Sequence, residues 1–315
     1  MAKDGLGSHL TETTMLTFLT SPKPFRGHIG IIQRNAIQSW KLVHANAEVI
    51  LFGEEEGVEE TARELGVRYA PQVKRNAFGT PYLASILDGG RELTGNALLC
   101  YVNCDIILLS DFRDALERLV ALNARFLMAG QRWDTEVKEP LDFSRSDWQT
   151  DLRQRALAAN RQRAPRWIDY FVFSRDLYAQ KAPPLVIGRA GFDNWMLWYA
   201  RSAGARVVDV SQVVLAIHQN HDYAHHPEGE KGIYDGEEAR QNFAQMQGGC
   251  YATLENATHR LTPSGLRPNY FHWVVLAKRK GKSSAYAVWF GLLDLTRPLR
   301  RLLGLRQRHS PEAPR

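Results

Sequence analysis

The chain has 315 residues and an ordinary globular composition, 44% hydrophobic and 23% charged, and its three cysteines form no CxxC pair, which disfavours a disulfide framework or a structural zinc site. The net charge of +6 is concentrated in residues 278–315, where ten Lys or Arg stand against two acidic residues, so the body is near neutral and a general nucleic-acid-binding role is disfavoured. The N-terminal residues lack the apolar core of a secretory signal, and no segment approaches the ~20 apolar residues of a membrane-spanning helix, so we expect a cytoplasmic protein.

The first 130 residues alternate between strand-like and helix-like segments. Short apolar runs predict strands at 15–20, 48–52, 67–70, 98–102 and 126–129, and amphipathic runs between them predict helices at 31–44, 54–65 and 80–93. Gly66 follows the second helix at a position where glycine is favoured, and Pro81 is allowed in the first turn of the third. This alternation predicts an α/β fold with a mostly parallel central sheet flanked by helices.

Residues 131–166 interrupt the alternation. The stretch 146–163 is polar and begins at Ser146, a suitable helix cap, so we predict an exposed helical insertion or lid. Beyond it, the sequence predicts strands at 167–174, 205–210 and 213–217, a helix at 192–200 and a loop at 222–238. We expect one domain over residues 15–270, after a flexible N-terminus at 1–14.

The predicted strand 98–102 runs directly into the triplet Asn103-Cys104-Asp105. An unpaired buried charge is costly, and ligands of open α/β sheets bind beyond the carboxyl ends of strands. Because Mg²⁺ is typically held by one or two carboxylates together with substrate phosphates, Asp105 indicates a metal–diphosphate site. The alternative interpretation is an aspartate that only turns the chain into the next segment.

Four histidines, His218, His221, His225 and His226, follow the last predicted strand within nine residues. Histidine binds transition metals and also contacts phosphate, and the spacing differs from the HExxH pattern of zinc metalloproteases. His218 is the strongest candidate because it stands at the end of a predicted strand. The alternative interpretation is a partly exposed polar loop that is rich in histidine.

A carboxylate also heads the predicted helix 192–200. Asp193 is either the N-cap of that helix or a general base, and the two interpretations are compatible. The aromatic neighbours Phe192 and Trp195 would offer a surface to a sugar or nucleoside. Apolar surroundings of this kind raise the pKa of a carboxyl toward neutral pH, which suits a base.

The segment 74–81 is positively charged. Arg75 supplies charge, Gly79 loosens the backbone, and Thr80 with Pro81 would open a helix whose N-terminus favours anions. A phosphate-contacting loop and a plain loop before a helix both stay open. The chain contains no GxGxxG after the first strand, no GxxxxGKS/T and no GxSxG, which disfavours dinucleotide dehydrogenases, P-loop NTPases and α/β-hydrolases.

Four segments, taken in chain order, resemble glycosyltransferases of the GT-A fold, the nucleotide-diphospho-sugar transferase superfamily, of bacterial surface-polysaccharide type. They are LTFLTSPKPF, YVNCDIIL, GFDNW and VVLAIHQNHDY, and they lie within residues 16–223. The resemblance implies a single GT-A-like, Rossmann-like domain that moves a sugar from a nucleotide-diphosphate sugar to a hydroxyl acceptor, a glycan or lipid-linked molecule, with inversion or retention open. One departure is that the usual DxD is Asn103-Cys104-Asp105, with a single carboxylate.

The same resemblance implies roles for particular residues. Asp105 would coordinate Mn²⁺ or Mg²⁺, with His218 and His221 as the candidates to complete the metal shell, and Asp193 would be the catalytic base. The residues implied to bind the nucleotide sugar are Thr20, Ser21, Arg75, Asn76, Gly79, Asn103 and Asp105, and those implied to bind the acceptor are Asn194 and Trp195. A non-catalytic sugar-nucleotide-binding protein, a metal-dependent hydrolase and a sugar nucleotidyltransferase are the alternatives.

Residues 271–315 form a predicted basic, amphipathic, helical tail. The stretch 284–308 combines aromatic and leucine side chains with arginines such as Arg297 and Arg300, the composition of an interfacial helix on anionic lipid. Such a tail would place the protein on the inner face of the cell membrane, near a lipid-linked acceptor. The alternative is a helix that packs on the body or on a partner chain.

Overall fold

The computed structural model describes residues 16–44, 46–179, 182–222, 228–246 and 249–270. The chain divides into two compact units, Met1–Asn269 and Tyr270–Arg315. The expected flexible N-terminus and basic tail, and the candidate residues His225 and His226, lie outside the described residues.

Strands and helices alternate along the first unit. In chain order they are β1 (Leu16–Thr20), α1 (Gly27–Val43), β2 (Glu48–Phe52), α2 (Val58–Leu65), β3 (Arg68–Ala70), α3 (Leu83–Leu93), β4 (Leu98–Val102), β5 (Ile106–Ile107), α4 (Ser110–Val120), β6 (Phe126–Ala129), β7 (Arg132–Thr135), α5 (Trp148–Ala159), β8 (Tyr170–Ser174), α6 (Phe192–Ser202), β9 (Arg206–Asp209), β10 (Ala216–Gln219), α7 (Gly229–Asp235), α8 (Glu237–Gln245), a short 3-10 helix (Leu254–Asn256), β11 (His259–Thr262) and β12 (Gly265–Pro268). None of the helices among these elements is both long enough and apolar enough to cross a membrane.

Nine strands form the central sheet, in the order β12-β11-β9-β6-β8-β4-β1-β2-β3. The run β4-β1-β2-β3 is parallel, as is β11-β9-β6, while β8 runs antiparallel between β4 and β6 and β12 pairs antiparallel with β11. Every residue of β1 and β4 is buried, as expected for strands covered on both faces. The predicted fold class, α/β with a mostly parallel central sheet flanked by helices, is confirmed.

Two hydrophobic cores lie on opposite faces of this sheet, because successive side chains of a strand point to opposite sides. Phe18 belongs to the core covered by α1, α2 and α4, and Leu19 to the core covered by α3 and α6. Trp40 stacks on Phe18 with ring centroids 5.6 Å apart and donates its indole N–H to the carbonyl of Ile106 at 2.8 Å. Burial of one such large apolar side chain stabilises the fold by roughly 1.5–3 kcal/mol, so this packing fixes the chain just beyond β4.

A smaller sheet contains three strands in the order β5-β10-β7. β10 pairs in parallel with β7, and this register sets His218 opposite Asp134. Leu152 and Ala156 of α5 are buried in the hydrophobic cluster that this sheet shares with the helix. The segment 131–166, expected as an exposed insertion or lid, therefore supplies a strand and a buried helix face to the core beside His218.

Several predicted boundaries are displaced, among them the start of the helix expected at 31–44, which lies at Gly27, and local backbone geometry accounts for two other shifts. The helix expected from residue 54 begins at Val58, because Gly57 has a positive φ of 80° that ends the preceding turn. The strand expected at 213–217 is shifted to Ala216–Gln219, because the backbone N–H groups of residues 213 and 214 both donate to the carbonyl of Val210 in a turn. His218 consequently lies inside its strand rather than after it.

Two further predictions are wrong in kind. Thr80 and Pro81 do not open a helix: the N–H of Asn76 bonds to the carbonyl of Thr80 and closes a narrow loop, and α3 begins only at Leu83. The expected loop 222–238 contains α7 and the start of α8, two short helices joined at Gly236. Their few apolar positions gave too weak a helical period to be recognised in the sequence.

Candidate functional site

A cavity of about 420 Å³, here called the central cavity, opens at the carboxyl ends of β1 and β4, where ligands of open α/β sheets bind. The sequence-predicted site residues that line it are Thr20, Ser21, Arg75, Gly79, Asn103, Asp105, Asp193, His218 and His221. Segments that are far apart in the sequence therefore meet at one edge of the sheet.

The carboxylate of Asp105 faces two imidazole rings in this cavity. Its Oδ2 lies 3.1 Å from Nε2 of His221 and 3.8 Å from Nε2 of His218. Two ligands bound at right angles about 2.1 Å from a small divalent cation are about 3 Å apart, so these separations suit ligands of one ion. Oδ1 of Asp105 is buried and has no hydrogen-bond partner within the described part of the chain. The donor set fits a divalent metal ion.

Asp105 is held in its ionised form. Burial alone would raise the pKa of this carboxyl. The pKa is nevertheless held below its ordinary value by positive charge on His218, by the hydrogen bond and charge of His221, and by the charge of Lys23. The backbone at this point is also fixed, because both the main-chain and side-chain N–H groups of Gln219 donate to the carbonyl of Asp105. An anionic oxygen is thus presented to the cavity at neutral pH.

Both histidines direct Nε2 toward Asp105 because Nδ1 of each ring faces an oxygen elsewhere. Nδ1 of His221 lies 2.6 Å from the carbonyl oxygen of Asp222. Nδ1 of His218 lies 3.3 Å from Oδ1 of Asp134. Each Nδ1 thus has an oxygen that can hold its proton, and a cation at the cluster would replace the proton that Nε2 of His221 donates to Asp105.

Asp193 stands in the first turn of α6, but it is not the N-cap. The cap position is taken by Gly191, whose φ of 107° suits glycine. Burial raises the pKa of Asp193 from 3.8 to about 7, and the negative charge of Asp169 acts in the same direction, against the hydrogen bond from the backbone N–H of Asn194. Oδ1 of Asp193 is buried without a hydrogen-bond partner among the described residues. A carboxylate with these properties can take up a proton near neutral pH.

Asn103 has a role that explains the single-carboxylate triplet. Its side-chain amide donates to Oδ1 of Asp169 at 2.7 Å, and its backbone N–H donates to the carbonyl of the same residue at 2.9 Å. Arg132 donates to the other oxygen of Asp169 at 2.9 Å. An aspartate at position 103 has no proton to donate at neutral pH, so the neighbouring carboxylate favours asparagine there.

Three of the predicted site residues lie away from the cavity. Trp195 and Asn194 are buried in the core: the indole stacks on Tyr199 with ring centroids 5.0 Å apart, and the amide of Asn194 donates to the carbonyl of Ala252. The expected acceptor contacts of these two residues are corrected, because α6 turns both side chains inward. Asn76 binds the buried carboxylate of Glu238 at 2.6 Å instead of facing a nucleotide.

Several cavity residues were missed in the sequence. They are Lys23, Arg132, Trp167, Asp169 and Arg189. Burial lowers the pKa of Lys23, although the charge of Asp105 opposes this change. Asp169 carried the same signal as Asp105, a carboxylate next to an apolar strand, and could have been found that way. The two arginines carried no comparable signal, because neither directly follows an apolar strand run and the carboxylates that draw them to the cavity wall, Asp169 and Glu238, lie 37 and 49 residues away.

No family model matches this chain, and no curated protein matches it. Among solved structures, glucosyl-3-phosphoglycerate synthase from Mycobacterium tuberculosis in complex with Mn²⁺, UDP and phosphoglyceric acid is similar over 79% of this chain and 84% of its own, with 16% identity and a TM-score of 0.45. The same enzyme with Mg²⁺ and UDP is 16% identical over 79% of this chain and 85% of its own, with a TM-score of 0.44. A further structure of the M. tuberculosis enzyme is 14% identical over 76% of this chain and 81% of its own, with a TM-score of 0.45. Because these identities and TM-scores are low, we infer the activity of this chain from its own residues and not from these structures.

Proposed function

We propose that this chain is a glycosyltransferase that moves a sugar from a nucleotide-diphosphate sugar to a hydroxyl acceptor with the help of a divalent cation. The observation that carries the proposal is the meeting of two groups in the central cavity. One is a cation-ligand cluster, Asp105 with His218 and His221, and the other is Asp193, a carboxyl whose pKa is raised to about 7. A metal-binding diphosphate site and a base for the acceptor are the two functions that such a transfer needs.

In this proposal the cluster holds Mn²⁺ or Mg²⁺. The bound cation would neutralise the negative charge that develops on the departing nucleoside diphosphate. Thr20 and Ser21, at the end of β1, contact the nucleoside. The basic loop that contains Arg75 and Gly79 contacts the nucleotide sugar. Asn103 contributes to the nucleotide-sugar site by holding the carboxylate of Asp169 in the cavity wall.

Asp193 is the proposed base. A pKa of about 7 lets a carboxylate accept the proton of the acceptor hydroxyl near neutral pH, which is the condition for efficient general-base catalysis. If Asp193 takes that proton as the hydroxyl attacks the sugar, the reaction inverts the anomeric centre. If Asp193 only binds the acceptor, a retaining reaction stays open.

The cavity contains an aromatic pair that we assign to the acceptor in place of Trp195. Trp167 and Tyr234 meet edge to face with centroids 5.0 Å apart, and both line the cavity. Aromatic side chains with polar neighbours suit a sugar, so we propose a glycan or lipid-linked acceptor and a role in polysaccharide biosynthesis. With the basic tail 271–315, this acceptor favours a cytoplasmic enzyme held peripherally on the inner face of the membrane.

A thermal-shift panel tests the function. Nucleoside diphosphates and sugar nucleotides are added with Mn²⁺, Mg²⁺ or EDTA, and a ligand at 100 times its dissociation constant should add about 2.7 kcal/mol of stability. We expect metal-dependent stabilisation by one nucleotide family in the wild type and none in Asp105→Asn. Asp142→Asn, an exposed carboxylate outside the cavity, is the matched control and should respond like the wild type.

The outcomes of that panel separate the alternatives. Stabilisation that EDTA does not remove would contradict the metal assignment. Stabilisation without any sugar transfer to glycan or lipid-linked acceptors would favour a sugar-nucleotide-binding protein. No response to any nucleotide would overturn the proposal. Deletion of residues 278–315 should move the protein from the membrane to the soluble fraction, and an unchanged distribution would contradict peripheral binding.

A further inference from the structure

Asp134 lies beside one member of the cation-ligand cluster, although it is not itself a member. It stands on β7 and His218 on β10, and the parallel pairing of these strands sets the two residues opposite each other. Oδ1 of Asp134 is 3.3 Å from Nδ1 of His218. The N–H direction misses this oxygen, so Nδ1 is buried without a hydrogen-bond partner within the described part of the chain. Asp134 is therefore the acceptor within reach of this nitrogen.

The carboxylate of Asp134 is held rigidly from two sides. Arg132 donates from Nε to Oδ1 at 3.2 Å, and Arg163 donates from Nε to Oδ2 at 2.5 Å. The side chain is 6% exposed, so water does not compete effectively for these contacts. Arg132 is itself fixed by a second carboxylate, Asp169, at 2.9 Å. A fixed acceptor of this kind determines which nitrogen of a neighbouring imidazole carries the proton.

We infer that Asp134 is a positioning residue that holds the Nδ1–H of His218 and so keeps Nε2 free to bind the cation beside Asp105. The inference rests on the proposed function only in taking a divalent cation as the ligand of the cluster. Metal-binding histidines almost always donate their other ring N–H to a carboxylate, carbonyl or water, and loss of that partner typically costs 10–100-fold in metal affinity. His221 needs no such carboxylate, because the carbonyl of Asp222 already faces its Nδ1.

The variant Asp134→Asn tests the inference without any activity measurement. Arg132 and His218 face one oxygen of Asp134 and Arg163 faces the other. An amide oxygen that stays beside His218 carries no charge and so accepts more weakly than the carboxylate, and it leaves the NH₂ group against Arg163; the reverse orientation places NH₂ beside His218. Mn²⁺ affinity is read from the electron paramagnetic resonance signal of the free ion. We expect the dissociation constant for Mn²⁺ to be 10–100-fold larger in Asp134→Asn than in the wild type. In a His218→Ala background the same change should cause no further loss of Mn²⁺ affinity.

The matched control is Asp209→Asn. It also removes a buried carboxylate that lies beside an arginine, Arg260, but Asp209 is not among the residues that line the central cavity. Mn²⁺ affinity should change by less than about threefold in Asp209→Asn, within the context dependence of one interaction. Equal loss of Mn²⁺ affinity in both variants would overturn the inference, since it would then reflect the common loss of structure.

A second readout examines the ring directly. Nitrogen-15 chemical shifts of labelled histidine report which ring nitrogen carries the proton, and they need neither metal nor substrate. We expect the Nδ1–H form for His218 in the wild type and a shift toward Nε2–H in Asp134→Asn. An Nε2–H ring in the wild type, or unchanged Mn²⁺ affinity in Asp134→Asn, contradicts the inference. Mn²⁺ binding that depends on Asp134 in a protein without transferase activity would instead contradict the proposed function alone.

Discussion

Replacement of Asp193 by asparagine tests whether this carboxyl is both buried and poised as a base. The pKa of Asp193 is raised from 3.8 to about 7, so the folded protein keeps a proton on this group over a range in which the unfolded chain has lost it. Stability from this group is therefore present at acid pH and is lost as the pH rises toward 7. Asparagine does not titrate, and the variant should lack this dependence.

The size of the effect follows from the shift. From pH 5 to the folded-state pKa of about 7 there are about two pH units, which corresponds to about 3 kcal/mol. The free energy of unfolding of the wild type, minus that of Asp193→Asn, should fall by roughly this amount over that interval and stay level above it. Taking the difference removes the contributions of all other titrating groups that the substitution leaves unchanged.

Urea denaturation at pH 5, 6, 7 and 8 measures the stability difference, and kcat/KM over the same range measures the chemistry. Wild-type kcat/KM should rise with pH around 7, because the base must be ionised, and Asp193→Asn should be slower by about 10²–10⁴-fold without that rise. Asp142→Asn, at an exposed carboxylate, should keep the wild-type slope in both assays. A level difference in stability, or the same pH–rate profile in Asp193→Asn, would refute the reasoning.

Three further predictions concern the cavity. Asn103→Asp should cost about 1–3 kcal/mol in urea denaturation, because it replaces the 2.7 Å donor to Asp169 by a second carboxylate; an unchanged stability would contradict that hydrogen bond. Mn²⁺ should bind more tightly than Mg²⁺ in competition experiments, since imidazole ligands suit transition metals and Mg²⁺ prefers oxygen; equal affinities would argue that the histidines are not ligands. Trp167→Ala should raise the acceptor KM about fivefold, equivalent to ~1 kcal/mol. Trp195→Phe should lower the stability of the fold and leave that KM unchanged. A raised KM in Trp195→Phe together with an unchanged KM in Trp167→Ala would contradict the assignment of Trp167 to the acceptor.

The carboxyl edge of the sheet was predictable because each strand can be recognised from its own apolar run. An apolar run that ends in a carboxylate placed Asp105 at this edge, where ligands of open α/β sheets bind. The sequence also singled out His218, but this residue reaches the cavity from inside β10, a strand of the smaller sheet. The fold class followed from the same alternation of strands and helices. None of these inferences needed a contact between particular side chains.

The partners of the site residues were not predictable in this way. Asp134 reaches His218 through the pairing of β7 with β10, and Asn103 reaches Asp169 through the pairing of β4 with β8, and neither register is written in the local sequence. Trp195 was misplaced for a related reason. Its helix carries aromatic residues on several faces, so periodicity alone could not say which face turns toward the core.

The most direct test of the account is release of nucleoside diphosphate from a panel of sugar nucleotides, measured with Mn²⁺ and with EDTA. We predict that the wild type consumes one sugar nucleotide in the presence of Mn²⁺ and an acceptor. The reaction should stop in EDTA and should be lost in Asp105→Asn, although that variant stays folded. Release that continues unchanged in EDTA or in Asp105→Asn, or no release from any sugar nucleotide, would contradict a metal-assisted transferase at this site.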